Sequence, residues 1–335
     1  MRALVTGGAG FIGHHVVDAL LREGHSVISL DRLDCSGNQN RLSELIPDLR
    51  DFFEVRETIP SPSHPEFRVM FHDLRAEINP LLVRQIGPVD WVLHLAASTH
   101  VDRSIADPML FVMDNVVGTT NALMFARDQE AKFLYFSTDE VFGPAPSGTA
   151  YREWDRYRSG NPYAASKAGG EEMALAFANT YGLDVRVTHT MNVIGRRQHP
   201  EKFVPSTIRK VRDGDEVLIH ADPLCTYPGS RFYIDAAEVA RSVLFVMKRG
   251  RAGDKYNIVG EREMDNLEMA NRIAEAVGKP LKYKLINFHG SRPGHDLRYA
   301  LDGEKLVGMG FERRLTIEQS IRETVRWTLD NPHWL

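Results

Sequence analysis

The sequence has few cysteines, no long apolar run and almost no net charge. Only Cys35 and Cys225 occur among 335 residues, which excludes a disulfide framework and predicts a reducing compartment. No stretch of about 18 apolar residues is present, so we expect no membrane-spanning segment. Lys and Arg number 41, and Asp and Glu number 45. The net charge of −4 therefore gives no electrostatic reason to expect binding to nucleic acid or to an anionic membrane.

The amino terminus also lacks the apolar stretch of a secretory signal. Residues 1–7 hold only a short apolar run that leads directly into glycines, so we expect a cytoplasmic protein. Hydrophobic residues make up 43% of the chain and charged residues 26%, which is typical of a globular protein. The length predicts about two domains, and no motif predicts a metal site.

Short apolar runs alternate with helical patterns through the first half of the chain. The runs are too short for helices and too continuous for a half-exposed sheet, so they predict buried parallel strands. These strands end at Thr6, Asp31, near Asp73, at Ala97 and at Thr138. Helices are predicted at about 12–23, 76–86 and 108–128. The predicted fold class is α/β, with a Rossmann-type doubly wound parallel sheet.

The pattern changes after about residue 190. Shorter strands are predicted at 217–219 and 256–259, and helices near 235–249, 265–278 and 316–330. We therefore predict a smaller C-terminal α+β domain for the substrate, formed by residues 191–230 and 256–335. The NAD-binding Rossmann domain would comprise residues 1–190 together with about 230–255.

A glycine-rich turn follows the first strand. Gly7, Gly10 and Gly13 are spaced by three, and the same segment matches G-x-G-x-x-G. Such glycines permit a tight turn and a close approach of the backbone to a pyrophosphate. Asp31 ends the second strand 18 residues after Gly13. A carboxylate there can bind ribose hydroxyls and repels a 2′-phosphate, so NAD is favoured, although the adjacent Arg32 leaves NADP open.

A tyrosine and a lysine share one face of a predicted helix. Asn161 and Pro162 are suited to its cap and first turn, and Tyr163 and Lys167 are four residues apart. A free tyrosine has a pKa near 10, so Tyr163 needs a nearby positive charge to act as a base at neutral pH. Ordinary surface residues can have the same spacing, and the upstream glycine turn is what favours a catalytic pair.

Two adjacent carboxylates follow the fifth strand. Thr138, Asp139 and Glu140 lie at its carboxyl end, where ligands of such sheets bind. Neighbouring carboxyl groups can divide the roles of acid and base when their surroundings differ. A solvated loop that carries two charges is the alternative interpretation.

The chain resembles the extended short-chain dehydrogenase/reductase family and, more narrowly, its nucleotide-sugar 4,6-dehydratases of the dTDP-glucose type. The Asp139–Glu140 pair is the specific feature, since it separates dehydratases from the 4-epimerases that share the other motifs. The resemblance covers most of the chain and includes the segments 6–13, 31–38, 94–97, 100–105, 137–143, 163–167, 200–205 and 292–296.

The resemblance implies a closed redox cycle on bound NAD. Tyr163 would take the proton from the sugar O4 while a hydride leaves C4. Glu140 would then remove the C5 proton, and Asp139 would protonate the departing C6 hydroxyl. Return of the hydride to C6 gives a 4-keto-6-deoxy sugar. Thr138 would polarise O4, and Lys167 would bind the nicotinamide ribose and tune Tyr163.

The resemblance also implies further binding residues and an assembly. Cofactor contacts would come from Gly7, Gly10, Phe11, Ile12, Gly13, Asp31, Arg32, Leu33, Asp73, Leu74, Leu95, Ala96, Ala97, Tyr163 and Lys167. Substrate contacts would come from Ser98, His100, Asn192, Lys202, Phe203, Arg231, Arg292 and His295. A homodimer would form through a four-helix contact of the apolar faces of helices 108–128 and 162–181, which include Leu110, Val117, Leu123, Met124, Met173, Leu175 and Phe177.

Departures from the family pattern leave the nucleotide and the sugar open. An expected arginine is displaced to Arg231, and residues 218–220 read Leu-Ile-His in place of Pro-x-Tyr. A 4-epimerase, a decarboxylase of a nucleotide-linked uronic acid and a 5,6-eliminating dehydratase would use the same Tyr163 and Lys167. A non-catalytic NAD-binding protein is a further alternative.

Overall fold

A computed structural model describes residues 1–34, 36–46, 49, 66–287 and 297–335. The predictions for Arg292 and His295 therefore lie outside the described residues. The chain forms two compact units. The first consists of Met1–Thr138, Pro162–His189 and Ala240–Tyr256, and the second of Asp139–Asn161, Thr190–Val239 and Asn257–Leu335.

A seven-stranded sheet organises the first unit. Its strands are β1 (Arg2–Thr6), β2 (Ser26–Asp31), β3 (Phe67–Phe71), β4 (Trp91–His94), β5 (Lys132–Thr138), β6 (Val185–Thr190) and β11 (Asp254–Ile258). The order across the sheet is β11-β6-β5-β4-β1-β2-β3. The pairings of β1 with β2 and β4, of β2 with β3 and of β4 with β5 are parallel. The predicted Rossmann-type sheet is confirmed.

Seven helices of the described residues lie entirely within this unit. They are α1 (Phe11–Arg22), α2 (Asn40–Ser43), α3 (Pro80–Ile86), α4 (Val101–Ala106), α5 (Pro108–Val112), α6 (Gly118–Asp128) and α7 (Pro162–Tyr181). The predicted helix at 76–86 is shorter than expected, because Asn79 caps α3. Its side chain accepts hydrogen bonds from the backbone N–H groups of Leu81 and Leu82, both at 3.0 Å.

The predicted single helix at 108–128 is interrupted. A π-helical turn, Met113–Val117, separates α5 from α6 and turns Asp114 and Asn115 into the interior. By length and composition alone, Pro108–Asp128 is the one helical span of the described residues that could cross a membrane, and 44% of its most apolar stretch is buried. A helix in the core of a globular protein can have the same length and apolar composition, so these two features are weak support for a membrane span.

The hydrophobic core of the first unit is built from β-strand residues and from the inner faces of α6 and α7. Leu4, Ile28 and Val92 are almost fully buried, as expected for strands covered on both faces. Leu123 and Phe177 belong to this core as well. Both were predicted on the faces of the four-helix contact, and burial within their own chain removes them from any such surface.

The second unit combines short sheets with helices. Helix α9 (Ala236–Arg249) begins in the second unit and continues in the first from Ala240 onward. The other elements of the second unit are a 3₁₀ turn (Asp139–Phe142), β7 (Val193–Ile194), α8 (Phe203–Asp213), β8 (Val217–Ala221), β9 (Ser230–Phe232), β10 (Ile234–Asp235), β12 (Glu263–Asp265), α10 (Asn266–Val277), β13 (Tyr283–Asn287), α11 (Glu304–Gly308), α12 (Ile317–Asp330) and a 3₁₀ turn (Pro332–Trp334). Among the described residues of this unit, three two-stranded sheets pair β7 with β10, β9 with β12 and β8 with β13. Their core contains Ile194, Ile208, Met269 and Ile321.

Candidate functional site

The turn between β1 and α1 requires glycine at its contact points. Gly7 has φ +71°, and a Cβ on it would lie 2.7 Å from the backbone N of Ala96. A Cβ on Gly13 would lie 2.0 Å from the Gly7 carbonyl oxygen. The backbone N–H of Gly10 donates to that same oxygen at 2.9 Å. These contacts hold the amino terminus of α1 against the ends of the strands, in the arrangement that binds a pyrophosphate.

Asp31 is tied to this turn. Its carboxylate accepts hydrogen bonds from the backbone N–H of Ala9 at 3.2 Å and from that of Leu33 at 2.8 Å. Burial raises the pKa of Asp31, while the two backbone N–H groups oppose that rise. Leu33 itself has φ +54°, so the chain bends sharply after β2. The predicted ribose-binding carboxylate therefore lies beside the glycine turn.

Arg32 is held by carboxylates of its own unit. Its Nη1 and Nη2 donate to both carboxylate oxygens of buried Asp114, at 2.6 and 2.7 Å. Its Nε and Nη2 donate to Asp34 at 2.9 and 2.6 Å. Asp73 lies 3.8 Å away. The hydrogen bonds that Arg32 donates to Asp114 raise the pKa of this guanidinium. A guanidinium neutralised in this way is a poor receptor for a 2′-phosphate, which favours NAD over NADP.

Residues after β4 form a second edge of the predicted cofactor site. The backbone N–H of Ala96 donates to Thr6 Oγ1 at 3.3 Å. Ser98 donates through its hydroxyl to Asp114 and through its backbone N–H to Asn115, at 2.5 and 2.8 Å. The sequence interpretation missed Asp114 and Asn115, because their inward orientation depends on the π-helical turn. Leu74, Leu95 and Ala97 stay predictions as cofactor contacts.

Tyr163 and Lys167 are both buried in the first turns of α7. Lys167 Nζ donates to the Phe136 carbonyl oxygen at 2.7 Å and lies 4.3 Å from the centre of the Tyr135 ring. Burial lowers the pKa of Lys167 to about 7, and the carboxylate of Glu171 opposes that shift. The Tyr163 ring packs edge-on against Phe111. The lysine is thus fixed by its own unit, one helical turn from the tyrosine.

The acidic pair follows β5 directly. Thr138 and Asp139 are buried and Glu140 is half-buried. The Asn161 side-chain amide donates to Glu140 Oε2 at 3.1 Å, which orients that carboxylate. Gly143 closes the turn with φ +76°, and its backbone N–H donates to the Glu140 carbonyl oxygen at 3.1 Å. A solvated loop, the alternative considered above, does not describe this buried and hydrogen-bonded segment.

The predicted substrate residues are placed differently from one another. In the second unit, Asn192 and Lys202 are exposed, whereas Phe203 is half-buried and packs against the core. Arg231 is buried: its Nη1 donates to the carbonyl oxygens of Ser230 and Leu297, and its guanidinium lies 4.7 Å from the Tyr299 ring centre. In the first unit, half-buried His100 precedes α4. Their substrate contacts stay predictions.

Among the residues that the structure describes, no three His, Cys, Asp or Glu side chains are grouped so that they could hold a metal ion.

Comparisons with known proteins match the whole chain. The model of the NAD dependent epimerase/dehydratase family matches residues 3–259. A dTDP-glucose 4,6-dehydratase of Streptomyces niveus is 38% identical over 342 residues, which cover 100% of this chain and 94% of that one. The crystal structure of DesIV, a dTDP-glucose 4,6-dehydratase from Streptomyces venezuelae with NAD bound, has a TM-score of 0.85 at 35% identity, covering 100% and 98%. A UDP-glucose 4-epimerase of Thermus thermophilus, also with NAD, has a TM-score of 0.82 at 29% identity, covering 98% of each chain.

Proposed function

Because this chain belongs to the NAD dependent epimerase/dehydratase family, we propose that Tyr163 with Lys167, and Asp139 with Glu140, carry out the dehydration of a nucleotide-linked hexose. The chain is an NAD-dependent nucleotide-sugar 4,6-dehydratase, a hydro-lyase, as its full-length relatives and matching structures show. The roles of its individual residues are our proposal.

The residues of the first turn fit NAD. The three glycines leave the amino terminus of α1 accessible to a pyrophosphate, and the Asp31 carboxylate lies where the ribose hydroxyls would bind. Arg32 is already paired with carboxylates, which makes it a poor partner for a 2′-phosphate. Bound NAD supplies a hydride acceptor for C4 and later the hydride donor for C6.

Proton transfer is the task of the protein's own side chains. Tyr163 takes the proton from O4 while Thr138 donates a hydrogen bond to that oxygen, and the Lys167 ammonium stabilises the phenolate of Tyr163. The resulting C4 carbonyl acidifies the C5 proton, which Glu140 removes. Asp139 protonates the C6 hydroxyl, which leaves as water. A proton then returns to C5, so the net loss from the hexose is one water.

The acidic pair is the observation that carries this proposal. Asp139 and Glu140 follow Thr138 without a gap, and Asn161 fixes the Glu140 carboxylate through a 3.1 Å hydrogen bond. A 4-epimerase only oxidises and reduces C4, so it has no use for a base and an acid at C5 and C6. A dehydratase needs both groups.

The test is incubation of the purified protein with dTDP-, UDP-, GDP- and CDP-hexoses in deuterated water. We expect mass spectrometry to show loss of one water and gain of one deuterium at C5, and NMR to show a C6 methyl group. An exocyclic alkene would instead identify a 5,6-eliminating dehydratase, and an isomer of unchanged mass would identify an epimerase. Either result, or loss of carbon dioxide from a uronic acid, overturns the proposed mechanism.

A homodimer is also part of our proposal. Ile105, Met109, Val112 and Met113 expose 38%, 64%, 40% and 36% of their surfaces along α4, α5 and the π-helical turn. This is a run of apolar surface of the kind that partners cover. Light scattering at micromolar concentration should give the mass of two chains, and the variant Met109→Glu with Val112→Glu should give that of one. A monomeric wild-type protein contradicts the proposal.

We propose a cytoplasmic location as well. Two cysteines in 335 residues give no disulfide framework, as is usual in a reducing compartment. Cell fractionation should recover the protein with the cytosolic fraction, and recovery with membranes would contradict the proposal.

A further inference from the structure

A buried charge cluster lies one helical turn beyond Lys167. Glu171 follows Lys167 by four residues on α7, so the two side chains share one face of the helix. The Glu171 carboxylate accepts from His189 Nε2, with its two oxygens 3.2 and 3.1 Å from that nitrogen. Its Oε1 lies 3.0 Å from Lys255 Nζ. The side chains of Glu171 and His189 are 0% exposed, and that of Lys255 is 4% exposed.

Three elements fix this carboxylate. Glu171 lies on α7, His189 on β6 and Lys255 on β11, and β6 and β11 are neighbours in the sheet. Burying charges is expensive even when they are paired, and an apolar cluster of the same volume is often at least as stable. A contribution to stability alone therefore does not explain why Glu171, His189 and Lys255 are buried together.

The nearest candidate for a function of the cluster is Lys167. Burial lowers its pKa to about 7, and Glu171 is the charge that acts against this effect. The Lys167 ammonium is already oriented by the Phe136 carbonyl oxygen and the Tyr135 ring. Geometry thus holds Lys167 in place, and the Glu171 carboxylate favours its charged form.

The other titratable groups around Lys167 do not supply a negative charge that would favour its ammonium form. Burial raises the pKa of Tyr135 well above its ordinary value, with Glu171 adding to the rise, so Tyr135 stays a neutral phenol. Burial lowers the pKa of His94 to about 3, so this imidazole stays neutral. The groups that face Lys167 or Glu171 are Tyr163 and the side chains of Tyr135 on β5, His94 on β4, His189 on β6 and Lys255 on β11.

We propose that Glu171 is a positioning residue for the dehydration: its buried carboxylate, held by His189 and Lys255, keeps Lys167 protonated and so keeps Tyr163 able to act as a base. This inference rests on the roles proposed above for Tyr163 and Lys167. Glu171 touches neither substrate nor cofactor in this scheme, and acts only through Lys167.

The experiment titrates Tyr163 in the NAD-loaded protein by the ultraviolet absorbance of tyrosinate, with Tyr163→Phe to assign the signal. Glu171→Gln removes the charge at nearly constant shape. We expect it to raise the apparent pKa of Tyr163 by about one unit and to lower kcat at neutral pH about tenfold, with KM almost unchanged. Glu171→Asp should restore most of the wild-type titration and pH profile. An unshifted titration in a folded Glu171→Gln protein overturns the proposal.

Two further variants separate this role from a structural one. Glu172→Gln removes the neighbouring, exposed carboxylate and should leave the titration and kcat unchanged. Glu171→Gln combined with Lys255→Met removes both buried charges and so folds without an unpaired lysine. If this double variant regains the wild-type titration and kcat, Glu171 serves only to pair Lys255 and the proposal is wrong. We expect it to stay shifted.

Failure of the proposed function can be distinguished from failure of the inference about Glu171. Tyr163 can be titrated whether or not any hexose is consumed. A wild-type protein that shows the Glu171-dependent titration but dehydrates none of the nucleotide sugars would contradict the proposed function and leave the inference about Glu171 standing.

Discussion

Arg32 and Asp114 form a two-pronged ion pair although 82 positions separate them in the chain, with N–O distances of 2.6 and 2.7 Å. Asp34 binds the same guanidinium from its more exposed side. A guanidinium recognises phosphate oxygens with the same fork of N–H groups that it offers to a carboxylate. The two aspartates therefore compete with any 2′-phosphate for Arg32, which reinforces the preference for NAD that Asp31 establishes.

Asp34→Asn should weaken the preference for NAD. The change removes the negative charge of Asp34, one of the two carboxylates that bind Arg32, and keeps the buried ion pair between Arg32 and Asp114. We expect NADP+ to bind about fivefold more tightly and NAD+ to bind as before, since an exposed ion pair contributes up to about 1 kcal/mol. Calorimetric titration of protein stripped of NAD measures both affinities. Asp18→Asn, which breaks the exposed pair of Asp18 with Arg22, is the matched control. Equal NADP+ affinities in all three proteins would contradict the expectation.

Tyr163→Phe should abolish the first oxidation and spare the fold. The hydroxyl is removed while the ring keeps its edge-on contact with Phe111. We expect kcat to fall about a thousandfold, in the range of a lost general base, and bound NAD to stay at the wild-type level. Substrate depletion and extraction of the cofactor measure the two quantities. Tyr181→Phe, on the exposed end of the same helix, should retain full activity. Unchanged turnover in Tyr163→Phe would remove Tyr163 from the mechanism.

Glu140→Gln should separate oxidation from elimination. The amide cannot remove the C5 proton, whereas the proton transfer from O4 to Tyr163 remains possible. We expect absorbance of reduced cofactor to accumulate after mixing with substrate, and loss of water to slow by about a hundredfold or more. Rapid mixing with absorbance detection shows the accumulation. Glu130→Gln, an exposed glutamate before β5, is the control. A variant that neither accumulates reduced cofactor nor slows the loss of water would remove Glu140 from the mechanism.

Local patterns were sufficient to predict the local geometry of segments that depend on short spacings. The glycine turn with Asp31, and Tyr163 with Lys167, each lie within one strand–turn–helix unit or one helical face, so residue type and spacing determine their geometry. The buried strands were equally evident from continuous apolar runs. The predicted α/β sheet is confirmed for these reasons.

Contacts between distant segments could not be predicted in this way. Asp114 lies in the interior because a π-helical turn shifts the register of the helix. No residue type in the sequence predicts such a turn. Glu171 could have been noticed from its i+4 spacing to Lys167, but its partners on β6 and β11 depend on sheet order. The predicted dimer face failed at Leu123 because an apolar residue on a long helix serves the chain's own core as readily as a partner.

The lowered pKa of Lys167 also predicts that the free energy of unfolding depends on pH. Its pKa is about 7 in the folded protein and about 10.4 in an unfolded chain, so the unfolded state binds more protons between these values. Stability therefore rises with pH across this window. The cost of burying the charge is fully present below about pH 7 and vanishes above about pH 10.4. A lysine that is buried for catalysis thus destabilises the fold most at neutral pH and below.

Lys167→Met removes this cost. We expect the variant to be inactive and, at neutral pH, to unfold with a higher free energy than the wild type. Its advantage should shrink by up to about 1.4 kcal/mol per pH unit toward pH 10. The Phe136 carbonyl loses its donor, which subtracts about 1 kcal/mol at every pH and does not change the slope. Denaturant unfolding at several pH values gives the two curves, with exposed Lys248→Met as the control. Parallel curves for Lys167→Met and wild type would mean that Lys167 keeps an ordinary pKa in the folded protein, which would contradict this prediction.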